Sequence, residues 1–328
     1  MSLEGKRFGR LFCLSLLGFQ FLLFSSVKAQ VSPQNLDEIR KQGFAQLHIG
    51  NWEPAETTFA TALTISPKDT LSIYGSSLAL FNLKKYSEAA TKLDLAVEIL
   101  STSREDNQLL ADALVLSAII SAVQDENAVA ISKLEKATKL SPKHFDANFS
   151  LARAYFGSGE IDKAINSFQQ AVSIQPNNPQ VRFFLATAME RAGSVSQALV
   201  EYRKVLQLSP NNAEGNLGLG VLLIKTEGDR SAEGLNALQK AVVLDANLYE
   251  SQIVLGKILI RLNRAVEAII HLQKAAEIAP KNPEPHFQLS IAYRKLGRRA
   301  EADTETEIVK KIHEKRRGVA DHQPQEEK

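Results

Sequence analysis

A chain of 328 residues with 39 basic and 37 acidic side chains is long enough for several domains, and its charges nearly cancel. That balance gives no electrostatic reason to expect a nucleic-acid partner. Cys13 is the only cysteine, and it stands so early that a processed chain would carry neither disulfides nor thiol chemistry.

In chain order the first segment differs from everything after it. Lys6, Arg7 and Arg10 precede an apolar run over residues 11–27, "LFCLSLLGFQFLLFSSV", and Val27 and Ala29 are small residues at signal-peptidase positions. This reads as a signal peptide, residues 1–29, cleaved after Ala29. The alternative is an uncleaved anchor, because about 17 apolar residues is the lower limit of a membrane span. Cleavage removes Cys13, four basic residues and one acidic one, leaving 35 basic and 36 acidic and a formal charge of −1. The expectation is an exported protein, periplasmic or secreted, with no membrane contact once the segment is gone.

From residue 36 onward one unit recurs. Its boundaries are placed at 36–69, 70–103, 111–144, 145–178, 179–212, 213–248, 249–282 and 283–317, with an insertion, "REDNQLL", at 104–110. Pro67, Pro142, Pro176, Pro210 and Pro280 give the ruler, and the steps from 142 to 176 and from 176 to 210 are both 34. In the fourth unit Leu151, Ala152 and Tyr155 share one helix face, and Ala164, Phe168 and Ala171 share another. Gly50, Gly159, Gly193, Gly228 and Gly297 fall between such halves, where left-handed backbone ends a helix; Asn263 takes that place in the seventh unit. Proline then stops the second helix. Eight helix–turn–helix pairs are predicted, and residues 318–328 read as a disordered tail.

A small residue, an aromatic and a glycine, then Ala, Phe or Tyr, Ala and Pro, resembles the tetratricopeptide repeat. Ala152, Tyr155, Gly159, Ala164, Phe168, Ala171 and Pro176 show it most plainly. The resemblance covers residues 36 to about 316 and implies an all-α, right-handed superhelical solenoid of about eight units. The departures are Gln42 in the first unit, Lys84 and Asp125 where turn glycine is expected, Gly234 for alanine in the sixth unit, and Thr306 for the aromatic in the last. The polar last helix, "RAEADTETEIVKKIHEKRR", fits a cap with one face in water.

No reaction chemistry is legible. The six histidines (His48, His144, His271, His286, His313, His322) have no partner at ligand spacing, and there is no HExxH, so neither metal nor cofactor is implied. "GLGVLLIKT", 218–226, lacks the glycine that a phosphate loop needs before Lys225. The sequon at Asn148 lies on an expected inner helix and is read as coincidence.

The resemblance implies that the first helices line a concave surface that binds peptides, and this gives a noncatalytic scaffold for protein or peptide segments in a cell-envelope assembly. The corresponding side chains are Tyr74, Leu78 and Phe81; Phe149, Arg153 and Phe156; and Phe183, Thr187 and Glu190. Farther along they are Leu217, Val221 and Ile224; Ile253, Lys257 and Ile260; and Phe287, Ile291 and Arg294. Arg153 and Lys257 are expected as polar anchors in an apolar groove. The competing reading is that these residues pack between neighbouring first helices. A different class of function, contact with carbohydrate or peptidoglycan, would use Trp52 and Tyr74 as stacking platforms. The carboxylate clamp of some family members is not present, since Tyr74 with Leu78, Phe149 with Arg153, and Phe183 with Thr187 occupy its places.

Overall fold

The computed structural model describes residues 33–103 and 106–320. The segment read as a signal peptide and the residues after Ala320 lie outside them. Among the described residues there are sixteen α-helices and no strand. In chain order they are α1 Pro33–His48, α2 Trp52–Ile65, α3 Thr70–Asn82, α4 Tyr86–Ser103, α5 Asn107–Val123, α6 Asn127–Leu140, α7 Phe145–Gly157 and α8 Ile161–Ile174. There follow α9 Pro179–Arg191, α10 Val195–Leu208, α11 Ala213–Glu227, α12 Ala232–Leu244, α13 Tyr249–Arg261, α14 Ala265–Ile278, α15 Pro283–Lys295 and α16 Arg299–Ala320. No helix among the described residues is long and apolar enough to cross a membrane. The described residues divide into two compact units, the first ending at Ser150 and the second beginning at Leu151.

Turn chemistry makes the pairs. Five first helices end on a glycine with positive φ, and three end on Lys84, Asp125 and Asn263 at φ 61°, 63° and 61°. The residue after each of these three donates its N–H to a carbonyl five positions back: Lys85 to Leu80 at 2.9 Å, Glu126 to Ser121 at 2.8 Å, Arg264 to Leu259 at 2.8 Å. That bond satisfies a helix-end carbonyl and reverses the chain. The sixth pair departs. Gly228 there is extended in ψ (170°), and Ser231 caps α12 through Gly234 N–H, which accounts for its longer turn.

Between most pairs an Asx cap starts the next helix; the seventh pair instead starts on Leu248, which makes no side-chain cap. Asp69 accepts from Ser72 N–H at 3.0 Å, and Asn178 from Gln180 N–H at 3.0 Å, with Pro179 at the first helical position. Each such cap is worth about 1 kcal/mol. Residues 107–110 of the insertion form the first turn of α5, which Asp106 caps and whose Leu109 and Leu110 are buried, and α4 before it has eighteen residues against fourteen in α2. At the other end α16 runs on to Ala320, past the expected 317 boundary.

Within each unit, successive helices pack, and first helices also touch the first helices of neighbouring pairs: α1 with α3 and α3 with α5, then α9 with α11, α11 with α13 and α13 with α15. Among the described residues, second helices of neighbouring pairs make no comparable contact. The first helices are therefore the inner layer of each stack. In the first unit Phe59 is fully buried, and its ring lies so near Gly75 that an added Cβ would come within 2.4 Å of it. The second unit has one extended core running from Ile224 and Leu238 through Leu255, Leu259 and Leu272 to Tyr293 and Ala302.

Candidate functional site

On the first unit's inner helices, Tyr74, Leu78 and Phe81 are half-buried and pack against the cluster of Leu80, Leu93 and Ile120. Burial, with Asp112 and Asp146 nearby, holds the Tyr74 phenol above its ordinary value, so it stays neutral. Phe149 stacks on Phe145 with centroids 5.7 Å apart. For these four residues the packing reading is the one the geometry favours.

Lining on the second unit's inner helices is different. Two adjoining cavities open there, of about 420 Å³ and about 580 Å³. Val221 of α11 and Val254 of α13 belong to both, so a continuous apolar floor crosses consecutive first helices. Phe183 and Leu217 wall the smaller cavity, together with Leu248. The larger one is floored by Ile224 and Ile253, and Lys225, Lys257 and Arg261 stand around it.

The smaller cavity has a built base. Tyr202 comes from a second helix, α10, yet its ring reaches through to the inner face because Gly218 has no side chain; a Cβ there would sit 2.5 Å from the ring. The phenol donates to Glu190 Oε2 at 2.9 Å. Burial, reinforced by that carboxylate against an opposing Thr187 contact, pushes the Tyr202 phenol above its ordinary value and keeps it a donor. Phe183 leans on Tyr202 with centroids 6.0 Å apart.

Several expected groove residues are placed otherwise. Ile224 (6% exposed) and Ile253 (7%) are core residues that show only an edge to the cavity, and Ile260 is likewise interior. Neither expected anchor is a waiting cation. The Arg153 guanidinium lies 5.7 Å from the Phe184 centroid, and Lys257 Nζ is 3.1 Å from Glu284 Oε1. Phe156 sits under Arg191, 5.1 Å from the ring centroid to the guanidinium carbon. Phe287 on α15 is half-exposed and lines neither cavity.

Sequence reasoning missed Tyr202, Gly218, Glu214 and Glu250 as parts of the inner surface. A signal was available for the last two: Glu214, Glu250 and Glu284 all occupy the second position of their pairs. Such first-turn carboxylates read as helix-dipole partners. Which face they share was not legible without the stack.

Residues 124–188 and 249–282 match models of the tetratricopeptide repeat. No curated protein matches the chain. Among solved structures, the C-terminal part of a repeat-containing protein from Cytophaga hutchinsonii is similar at TM-score 0.60 and 15% identity, over 76% of this chain and 99% of that one. Pseudomonas aeruginosa pilF is similar at TM-score 0.55 and 17% identity, over 62% of this chain and 91% of its own. YrrB, described as a repeat protein of this kind with an unusual peptide-binding site, is similar at TM-score 0.50 and 19% identity, over 59% and 95%. At such identities the likeness is one of fold.

Proposed function

This chain is a tetratricopeptide-repeat protein, and from that premise we propose that it is a noncatalytic scaffold holding a segment of a partner protein against the inner face of its second unit. The carrying observation is the continuous apolar floor through Val221 and Val254, open to solvent and walled by Phe183 and Leu217. A floor of this kind suits the side chains of an extended or helical segment laid across successive first helices. The peptide-binding site described for YrrB supports the reading by analogy of fold.

The test is capture of partner proteins by the full chain and by a Phe183→Ala/Leu217→Ala variant whose helical circular dichroism matches wild type. Loss of partners with the variant is expected. Equal recovery would rule out this face.

We further propose that the scaffold works outside the cytoplasm, on the strength of the basic start, apolar run and small residues at Val27 and Ala29. N-terminal sequencing of protein from fractionated cells should find Gln30 first; an intact start in the cytoplasmic fraction would overturn this.

A further inference from the structure

The two cavities of the second unit differ in the sign of their charge. Around the larger one stand Lys225, Lys257 and Arg261; Lys257 meets Glu284, and Arg261 holds Asp229 through two bonds of 2.7 and 2.6 Å. Around the smaller one stand three carboxylates, Glu190, Glu214 and Glu250, and no Lys, Arg or His lines it. None of the three has a cationic partner among the described residues; the hydrogen bond from Tyr202 is the contact Glu190 makes.

Helix position accounts for two of them and not for the third. Glu214 and Glu250 lie in the first turns of α11 and α13, where a carboxylate is favoured by the dipole. Glu190 lies in the last turn of α9, where the dipole disfavours it, and it is half-buried against an apolar wall. Nor does the trio suit a metal ion, since no group of three acidic, histidine or cysteine side chains among the described residues could hold one. A carboxylate rim over an apolar wall suits a long cationic side chain instead. Its methylene stem would lie on Phe183 and Leu217, and its head would reach the rim.

We propose that the segment docked in the second unit places a lysine or arginine in the cavity beneath Glu190, Glu214 and Glu250, next to an apolar residue seated on Val221 and Val254. This rests on the groove reading above and specifies its ligand: a basic–apolar protein segment, opposite in charge to an acidic tail.

Fluorescein-labelled nonapeptide pools, with the central residue fixed as Arg, Gln or Glu and the other positions drawn from Ala, Leu, Phe and Ser, are titrated against the full chain by fluorescence polarisation. The Arg pool should bind roughly tenfold more tightly than the Glu pool at low salt, with the gap closing as salt is raised. Glu190→Gln/Glu214→Gln/Glu250→Gln should erase the gap while the Gln pool binds as before. Should that triple variant misfold, Glu250→Gln alone should narrow the gap. Equal binding of all pools, or preference for Glu, with binding still abolished by Phe183→Ala/Leu217→Ala, would overturn the charge proposal and leave the groove standing. Binding by no pool, or binding indifferent to Phe183→Ala/Leu217→Ala, would remove the groove reading and this proposal together.

Discussion

Lys84 and Asp125 carry backbone that an L side chain dislikes, at φ 61° and 63°, in the turn where five other pairs use glycine. A residue in that region is disfavoured by about 1–2 kcal/mol, partly offset because glycine loses more freedom on folding. Lys84→Gly should therefore stabilise the chain by about 0.5–1 kcal/mol in urea denaturation, with Lys84→Ala near neutral. Asn263→Gly should gain less, because asparagine tolerates this backbone better. These turns were legible from sequence because their cause is local: one residue, one φ, one carbonyl to satisfy. Tyr202 was not, because its place on the inner face depends on Gly218, sixteen positions away on another helix.

Between helices, polar contacts set a pH response. Gln252 Nε2 donates to the Ala246 carbonyl at 3.0 Å, so its Oε1 accepts from His271 Nδ1 at 2.9 Å. Burial lowers the His271 pKa below 6.5, with Glu267 opposing weakly. As pH falls through 6.5 the unfolded chain takes up the proton first, so the contribution of His271 is full above about 6.5 and shrinks below it. Thermal melts of wild type should lose stability over that acid window, and His271→Gln should flatten this part of the profile; an unchanged slope would show that other groups govern it. At this scale the sequence was half readable. Caps at Asp69, Asn178 and Asn282 follow from residue type. Which cations are already engaged does not, since Lys257 finds Glu284 27 positions on and Arg261 finds Asp229 32 positions back. Leu217 and Ile224 belong to one helix face by spacing, yet only the stack decides that Leu217 walls the smaller cavity while Ile224, packed on Gly234 of the following helix, shows only an edge to the larger one.

Over the whole chain, eight pairs were countable because the spacing of small, large and turn residues repeats. The division at Ser150 was not, since no break in spacing accompanies it. In the second unit α9, α11, α13 and α15 are joined to one another along the inner face, and among the described residues α10, α12 and α14 have no matching join outside. Such a stack behaves as an elastic strip bound along one edge, stiff to stretching at the seam and free to fan at the opposite margin. A segment of the kind proposed, laid across α9, α11 and α13, would run along that seam, so fanning at the opposite margin would hardly change the length offered to it.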